Sequence, residues 1–276
     1  MQRSDRASTF APDLLRGKVA VVAGASGGIN LGIAQALAQA GCAVVVLSRD
    51  QGRIDAAARS IVALGGRALG CAADVRDFDA VNAVFRTAVQ TYGPVDIVVS
   101  GAAGNFHAPA AHLSANGFKT VIDIDLIGGF NVLRASFPHL RKPGAALLSV
   151  TAPGAVRPSL FQVHANAAKA GINMMTQCLA MEWGPAGVRV NAVSPGPIAG
   201  TEGMARLAST PEREQAIKSR LALRDYGRIE DIAQTALFLC SDAARYITGS
   251  IVDCDGGSVL GDASGDALSA RPARAG

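Results

Sequence analysis

The sequence predicts a single α/β domain built on a doubly wound, seven-stranded parallel sheet. Seven short runs rich in Val, Ala and Ile alternate with six amphipathic stretches. Most of these runs are apolar at successive residues, which is typical of strands covered on both faces, as in parallel sheets. Strands and helices that alternate in this way form right-handed βαβ units.

The positions of the elements follow from this alternation. Strands are predicted at 18–24, 43–48, 67–74, 95–101, 145–152, 188–195 and 250–256. Helices are predicted near 31–41, 51–64, 78–92, 114–138, 163–183 and 229–241.

Three segments fall outside the alternation. Residues 1–15 are predicted to be an N-terminal leader and 261–276 a flexible tail, because both are polar and lack periodicity. The catalytic domain is therefore predicted at 16–260. Residues 196–226 form a long connection after the sixth strand, and a connection of that length inside a compact domain is typical of a functional lid.

Composition limits the classes of partner. The 276 residues are 49% hydrophobic, and the 26 Lys and Arg residues exceed the 22 Asp and Glu residues by only four. The basic residues are scattered, so we predict no nucleic-acid partner. No apolar run reaches the roughly 18 residues that a membrane span needs, so we predict no membrane partner. We also predict no metal site.

Five cysteines lie in apolar segments and form no CxxC pair. They are Cys42, Cys71, Cys178, Cys240 and Cys254. This distribution predicts buried small hydrophobic residues in a reducing compartment and no disulfide framework. We therefore expect a cytoplasmic protein.

A glycine-rich segment, AGASGGINLG at 23–32, directly follows the first predicted strand. Gly24 and Gly28 bracket a tight turn that opens a helix. Without Cβ atoms the backbone N–H groups can approach a pyrophosphate, and the helix N-terminus adds positive potential. An ordinary βα turn is the alternative, but the position after the first strand of a long βαβ series favours a dinucleotide-binding Rossmann fold.

Further motifs share the spacing of a known family. They are the G-x-x-x-G turn, Asp74-Val75, GAAG at 101–104, Lys169 and PGPI at 195–198. Over about 16–258 the chain resembles the short-chain dehydrogenase/reductase family. The resemblance implies a nicotinamide cofactor at the carboxyl ends of the strands. Asn30 departs from the pattern, where the family usually has a third glycine; Asn tolerates unusual backbone angles, so cofactor binding is expected to be retained.

The end of the second strand bears on the choice between NADH and NADPH. The segment reads LSRD, so Ser48 and Arg49 stand where an acidic residue would accept hydrogen bonds from the adenosine ribose. An arginine instead suits a 2′-phosphate through charge-assisted contacts, so NADPH is the predicted cofactor. A solvated surface charge is the alternative role for Arg49. The predicted cofactor-binding residues are Gly24, Ala25, Ser26, Gly27, Gly28, Ile29, Ser48, Arg49, Asp74, Val75, Gly101, Ala102, Ala103, Lys169, Pro195, Gly196, Ile198 and Thr201.

The predicted catalytic helix lacks the residue that usually carries the proton. Carbonyl reductases of the family have Tyr and Lys at positions i and i+4 of one helix face, with a Ser about thirteen residues upstream of the Tyr. In QVHANAAKAG, at 162–171, Lys169 is present, but Ala165 occupies the tyrosine position and Ala152 the serine position. Thr151 and Ser149 offer nearby hydroxyls, of which at most one is expected to face the site, and His164 is a further possible donor. His164 lies one position off the tyrosine face, so a structural or surface role is favoured for it.

Asp125 is the second predicted catalytic residue. It lies in TVIDIDLIGGFNVL, at 120–133, where the family ordinarily has an asparagine near the catalytic groups. A carboxyl group beside the nicotinamide can act as a general acid, directly or through water. The alternative is that Asp125 replaces the asparagine structurally and only binds backbone amides. The simultaneous loss of Tyr and Ser favours a catalytic role for Asp125 with Lys169.

Hydride transfer without a phenol fits a conjugated thioester better than a ketone. Hydride adds to a remote alkene carbon, the electrons flow to the thioester oxygen as an enolate, and a carbon is protonated later. Such a reaction needs hydrogen-bond donors for the enolate oxygen and an acid placed over carbon. Lys169, a water molecule and Asp125 can provide these groups.

A narrower resemblance agrees with this chemistry. Its segments are AAGNF (102–106), LSANGFKTVIDID (113–125), QVHANAAKA (162–170), EWGP (182–185) and PGPIAGTEG (195–203). They resemble the peroxisomal-type 2,4-dienoyl-CoA reductases, which also lack the tyrosine. The resemblance implies NADPH-dependent reduction of 2,4-dienoyl-CoA to trans-3-enoyl-CoA in the breakdown of unsaturated fatty acids, and a homotetramer. It further implies acyl-CoA contacts at Arg49, Arg76, Phe106, Ser114, Asn116 and Arg206.

Two other functions stay open at this point. One is a carbonyl or 3-ketoacyl reductase with a substitute proton donor, and the other is a catalytically silent NADP-binding module. Lys169, the PGPI motif and Arg49 argue against loss of function, although a binding module would also keep them. The chain ends RPARAG, without a peroxisomal tripeptide, which is the basis for expecting a cytoplasmic relative.

Overall fold

The computed structural model describes residues 9–208 and 210–265. Its strands form one parallel seven-stranded sheet in the order β3-β2-β1-β4-β5-β6-β7. The strands are β1 (Val19–Ala23), β2 (Ala43–Ser48), β3 (Arg67–Ala72), β4 (Ile97–Ser100), β5 (Ala146–Val150), β6 (Arg189–Pro195) and β7 (Ile251–Cys254). The predicted doubly wound α/β domain is confirmed. The strand order reverses between β1 and β4, where ligands bind in such folds.

The helices lie between the strands, with two departures from prediction. The helices are α1 (Gly28–Gln39), α2 (Gln51–Ala63), α3 (Phe78–Tyr92), α4 (Ala115–Ile122), α5 (Gly128–Ser136), α6 (Val163–Trp183), α7 (Glu202–Leu207), α8 (Pro211–Arg220) and α9 (Ile229–Cys240). The single helix predicted at 114–138 is instead α4 and α5, joined by a π-helical turn at Asp123–Ile127. The connection at 196–226, for which the sequence pattern predicts no helix, contains α7 and α8.

Alternating strand residues build two apolar layers, one on each face of the sheet. Val22 and Val46 point to the layer that includes residues of α1, α2 and α9. Val21 and Val45 point to the opposite layer, with residues of α3, α5 and α6. Strands covered on both faces need apolar side chains at every position, which explains the continuous apolar runs in the sequence.

Short polar side chains fix the starts of several helices. Asp50 accepts a hydrogen bond from the N–H of Arg53 and so caps α2, and Ser114 caps α4 through the N–H of Gly117. Such caps satisfy backbone N–H groups that have no partner inside the helix. Helix α1 differs, because it follows Gly27 and has no side-chain cap. Its first N–H groups therefore remain able to bind an anion.

The predicted leader and tail lie partly within the described residues. Leu15 is fully buried, and its N–H donates to the carbonyl of Ala40 at 2.8 Å. At the other end, the N–H of Ala263 donates to the carbonyl of Arg220 at 3.0 Å. The remaining parts of the two predictions, residues 1–8 and 266–276, lie outside the described residues. Over the described part of the chain, no helix is both long and apolar enough to cross a bilayer.

All five cysteines are free thiols. Cys42 and Cys240 are buried, and burial raises the pKa of the Cys240 thiol to about 12. Cys178 is exposed, so its interpretation as a buried hydrophobic residue was wrong. The reason is its position on α6, whose two faces differ in burial: the neighbouring Leu179 faces the core, while Cys178 faces outward.

Candidate active site

The glycine turn after β1 is packed tightly against the end of β4. Gly24 has a φ of +76°, and a Cβ atom there would lie 2.7 Å from the backbone N and Cα of Ala102. The N–H of Gly24 donates to the carbonyl of Leu47 in β2. Only glycine fits this conformation and this spacing. The turn therefore lies directly at the reversal of strand order, followed by the uncapped start of α1, as a pyrophosphate requires.

The tip of β2 presents a hydroxyl and two guanidinium groups. The Oγ atom of Ser48 is buried and has no hydrogen-bond partner among the described residues, and Arg49 is exposed beside it. Asp50 is engaged as the cap of α2, so it is not available as an acceptor for a ribose diol. Arg53 reaches back to the glycine turn, where its Nη2 atom lies 3.9 Å from the position of a Cβ at Gly27.

Arg53 is a residue that the sequence reasoning missed. The available signal was its spacing, since it follows Arg49 by four residues in the first turn of α2. Two guanidinium groups beside a free hydroxyl and no free carboxylate suit a phosphate monoester better than an unmodified ribose. The residues present thus fit a nicotinamide dinucleotide, and their charges at the ribose end favour a phosphorylated one.

Asp74 and Arg76 were predicted to bind different ligands, but the structure pairs them with each other. Arg76 donates through Nε to Oδ1 of Asp74 at 2.9 Å and through Nη2 to Oδ2 at 2.5 Å. The hydrogen bond from Arg76 lowers the pKa of Asp74 to about 2. Val75 between them is buried, and its carbonyl accepts a hydrogen bond from Asn131 at 2.9 Å. Any ligand phosphate near Arg76 must share it with Asp74.

The two predicted catalytic residues, Asp125 and Lys169, are brought together. Asp125 lies in the π-helical turn and is 2% exposed. Its Oδ1 accepts a hydrogen bond from the N–H of Gly104 at 2.7 Å, and its Oδ2 lies 3.3 Å from Nζ of Lys169. Lys169 also donates to the carbonyl of Val150 at 3.2 Å. This constellation joins the end of β5 with the segment after β4, the π-helical turn and α6.

Two of the other candidate proton donors are engaged with the backbone, whereas the hydroxyl of Ser149 is buried without a hydrogen-bond partner among the described residues. Ala165, at the tyrosine position, is a buried small side chain. Thr151 is buried, and its hydroxyl donates to the carbonyl of Lys169 at 3.4 Å. His164 is fully buried, and its Nε2 lies 3.0 Å from the carbonyl of Phe106. A carbonyl only accepts, so this Nε2 carries the proton. Burial excludes a surface role for His164, and its structural role stays a prediction that this contact supports.

Phe106 belongs to a loop that is fastened to the start of α6. Its ring centroid lies 4.5 Å from that of His164. The N–H of Ala108 donates to the carbonyl of Phe161 at 3.0 Å, and Nε2 of Gln162 contacts Nε2 of His107 at 2.7 Å. These contacts hold the loop after β4 against the loop before α6. Phe106 is 41% exposed, so its ring is available as a wall of the cleft.

The remaining predicted substrate residues are less well defined. Ser114 uses its hydroxyl oxygen to cap α4, and Asn116 is exposed in the first turn of that helix. Arg206 belongs to α7, but its side chain lies outside the described part of the structure. None of these residues is shown in contact with the Asp125–Lys169 pair.

The PGPI segment begins at the end of β6 and lies against Asp255, the residue that follows β7. A Cβ at Gly196 would lie 2.5 Å from Cα of Asp255, so only glycine allows the chain to pass β7 at this distance. Ile198 is buried. Thr201 accepts a hydrogen bond from the N–H of Met204 and donates to the carbonyl of Ile198 at 2.8 Å, so it fixes the start of α7.

A family model described as "Enoyl-(Acyl carrier protein) reductase" matches residues 24–258. This match spans the glycine turn, the Asp125–Lys169 pair and the PGPI segment. The chain belongs to the short-chain dehydrogenase/reductase family. A nicotinamide cofactor is therefore expected at the strand ends described above.

Two relatives and one solved structure are similar to this chain over most of its length. The chain is 42% identical over 253 residues to a peroxisomal 2,4-dienoyl-CoA reductase [(3E)-enoyl-CoA-producing] from Pongo abelii, covering 91% of this chain and 87% of the relative. It is 40% identical over 257 residues to the protein of the same name from Danio rerio, covering 92% and 86%. A crystal structure of a dehydrogenase/reductase from Sinorhizobium meliloti 1021 is similar in fold, with a TM-score of 0.81, 29% identity, and 90% and 97% coverage.

The contact between Gly24 and Ala102 generates a prediction about cofactor binding. We expect Gly24→Ala to abolish detectable nicotinamide cofactor binding, because the new methyl group would overlap the backbone of Ala102. Gly65→Ala is the matched control, since Gly65 also has a positive φ (+84°) but no neighbouring atoms within 4 Å. Cofactor titration followed by fluorescence measures both variants. Equal loss of binding in the two would show that backbone strain, and not the close approach, causes the defect.

Proposed function

We propose that this protein is an NADPH-dependent reductase that converts 2,4-dienoyl-CoA to trans-3-enoyl-CoA. The observation that carries the proposal is the buried pair of Asp125 and Lys169 beside an alanine at the tyrosine position. The names of the relatives at 42% and 40% identity support the same substrate class. The physiological setting that fits this reaction is the breakdown of unsaturated fatty acids.

The proposed cofactor contacts are those at the strand ends. NADPH would supply the hydride. The glycine turn and the start of α1 would hold the pyrophosphate, while Ser48, Arg49 and Arg53 would surround the 2′-phosphate. Asp74 and Val75 follow β3, Gly101 to Ala103 follow β4, and the segment from Pro195 to Thr201 closes the cleft. Lys169 would in addition bind the nicotinamide ribose.

The regiochemistry follows from the electron flow in the substrate. Hydride addition at C5 of a 2,4-dienoyl thioester moves electrons through C4, C3 and C2 onto the thioester oxygen. Protonation of the resulting dienolate at C2 leaves a double bond between C3 and C4, whereas protonation at C4 would leave it between C2 and C3. The position of the acid therefore decides the product. A carboxyl group whose two oxygens are both held in place can direct the proton to one of these two carbons.

The contacts of the two residues support the roles proposed for them. Lys169 has three N–H donors, of which one is directed to the carbonyl of Val150, and its Nζ lies within ion-pair distance of Asp125. The remaining donors can serve the ribose, the thioester oxygen or a water molecule. Asp125 has one oxygen on the N–H of Gly104 and the other towards Lys169. We propose that the pair delivers the proton to C2 through a bound water molecule.

The alternatives receive less support. A carbonyl or 3-ketoacyl reductase would need a substitute donor, and Thr151 and His164 both direct their protons to backbone carbonyls. Ser149, whose buried hydroxyl has no hydrogen-bond partner among the described residues, is the remaining candidate for that role. A silent NADP-binding module gives a buried carboxyl group beside the lysine no chemical task, although the contacts of Asp125 with Gly104 and with this lysine offset the cost of its burial. A role in protonating the dienolate of a thioester substrate accounts for Asp125 more directly.

The proposed substrate contacts involve the long connection after β6 and three arginines. We propose that 196–226, with α7 and α8, acts as the lid over the acyl-CoA. Arg49, Arg76 and Arg206 would contact the CoA phosphates, and Phe106 would line the acyl pocket, with Ser114 and Asn116 at its edge. Arg76 can do so only in competition with Asp74.

Assembly and location complete the proposal. Apolar side chains on α5 and α6 and at the preceding π-helical turn are exposed in the single chain: Ile127 at 46%, Phe130 at 45%, Met174 at 61% and Met181 at 82%. Exposed apolar side chains on these elements support a homotetramer in which other copies cover them. A cytoplasmic location is also proposed, whereas the relatives in Pongo abelii and Danio rerio are named peroxisomal.

Substitution of the proposed acid tests the function directly. We expect Asp125→Ala to lower kcat for a 2,4-dienoyl-CoA by about 10²–10⁴-fold, the range of general acid catalysis, and to leave NADPH binding within a few-fold. Asp123→Ala is the matched control, because Asp123 is an aspartate in the same turn that pairs with Lys119 instead. Stopped-flow NADPH oxidation measures the rate. Unchanged turnover in Asp125→Ala would overturn the proposed role.

The nucleotide preference is tested at the tip of β2. We expect Arg49→Ala to raise the Kd for NADPH by about tenfold or more, since it removes a charge-assisted contact, and to leave the Kd for NADH within about twofold. Arg59→Ala, an exposed arginine later in α2, is the control. An equal rise in the Kd for NADPH and for NADH would show that Arg49 does not contact the 2′-phosphate.

The proposed assembly is tested by light scattering of the purified protein. We expect the mass of four chains for the wild type, and smaller species for Phe130→Arg, because a charge in a buried apolar contact is strongly unfavourable. Arg59→Ala, on the exposed face of α2, is the control. A monomeric wild type would contradict the proposed tetramer.

A further inference from the structure

Asn30, the departure from the family's third glycine, makes two hydrogen bonds that a glycine cannot make. Asn30 lies in the first turn of α1, and its Nδ2 donates to the carbonyl of Gly101 at 2.7 Å and to that of Gly24 at 3.3 Å. Gly24 is the first glycine of the phosphate-binding turn, and Gly101 directly follows β4. The side chain therefore connects the two strand ends that flank the reversal of strand order.

The same side chain fills the space that a larger residue at 101 would need. A Cβ at Gly101 would overlap Oδ1 of Asn30 and lie 2.6 Å from its Cγ. The carboxamide thus packs flat against the Cα of Gly101. Residues 30 and 101 are sterically coupled, so a side chain can be accommodated at only one of them in this arrangement.

The segment that Asn30 holds leads directly to the catalytic pair. Gly101 is three residues before Gly104, whose N–H fixes Oδ1 of Asp125 at 2.7 Å. A shift of Gly101 relative to Gly24 would thus move the cofactor turn and the acid relative to each other. Errors of about 1 Å in such alignments reduce rates strongly.

We propose that Asn30 is a positioning residue that clamps the phosphate-binding turn to the segment Gly101–Gly104. Gly101, which has no side chain, leaves the space that the carboxamide of Asn30 occupies. The clamp sets the position of the bound dinucleotide relative to Asp125 and Lys169. Asn30 does not contact the reacting atoms; its effect is transmitted through the carbonyls of Gly24 and Gly101. This inference rests on the proposed cofactor binding, but not on the identity of the acyl-CoA.

Cofactor titration tests the clamp. We expect Asn30→Gly to raise the Kd for NADPH by about tenfold, because two hydrogen bonds in the turn are lost, and to lower kcat as well, because the bound dinucleotide is no longer held in line with Asp125 and Lys169. Gln35→Gly is the matched control, since it also places a glycine in α1 and removes an amide hydrogen bond, the one to Ser60. A Kd in Asn30→Gly within twofold of the Gln35→Gly value would overturn the clamp.

A double-mutant cycle tests the steric partnership without any cofactor. We expect Gly101→Ala alone to lower the thermal unfolding midpoint by about 5 °C through overpacking. In the Asn30→Gly background the same substitution should lower it by less than about 2 °C, because the carboxamide is gone. Equal losses in the two backgrounds would overturn the steric partnership.

The two measurements separate failure of the clamp from failure of the proposed function. If the wild type binds NADPH and Asn30→Gly binds equally well, the clamp is wrong and the proposed function is untouched. If the wild type does not bind NADPH, the proposed cofactor is wrong, and the unfolding cycle still decides whether Asn30 and Gly101 are coupled.

Discussion

The buried contact between Asp125 and Lys169 is the constraint on which the site depends. Asp125 is 2% exposed, and a carboxyl group at that depth needs hydrogen bonds and a partner charge. It has the N–H of Gly104 on one oxygen and Lys169, 3.3 Å away, on the other. To supply them, the segment after β4, the π-helical turn and α6 must meet at one point. The position of the cleft follows from that meeting.

The role proposed for this contact would also account for the absence of a tyrosine. The alanine at position 165 leaves the lysine without a phenol, and the carboxyl group comes from a different helix. A ketone needs a proton at oxygen as the hydride arrives, whereas a dienoyl thioester spreads its charge and takes its proton later, at carbon. An acid located away from the usual tyrosine position suits the second reaction. The alanine at the tyrosine position of α6 is therefore consistent with a dienoyl thioester as the substrate.

The sheet was predictable from the sequence, because its buried strands require apolar residues at successive positions. The phosphate-binding turn was equally accessible, since Gly24 is dictated by a positive φ and by the backbone of Ala102. Features that depend on contacts between distant segments were not. The π-helical turn, the pairing of Asp74 with Arg76 and the approach of Arg53 to Gly27 each require knowledge of which elements meet. Asn30 shows the same limit: the sequence suggested a tolerance of unusual backbone angles, but the residue is helical, and its bonds to Gly24 and Gly101 were not foreseen.

The most direct measurement is NADPH oxidation by the purified wild-type protein with a 2,4-dienoyl-CoA, compared with a 3-ketoacyl-CoA of the same chain length. The Asp125–Lys169 site predicts rapid oxidation with the dienoyl-CoA, a trans-3-enoyl-CoA as the product, and little oxidation with the ketoacyl-CoA. Turnover of the 3-ketoacyl-CoA without turnover of the dienoyl-CoA would contradict this account.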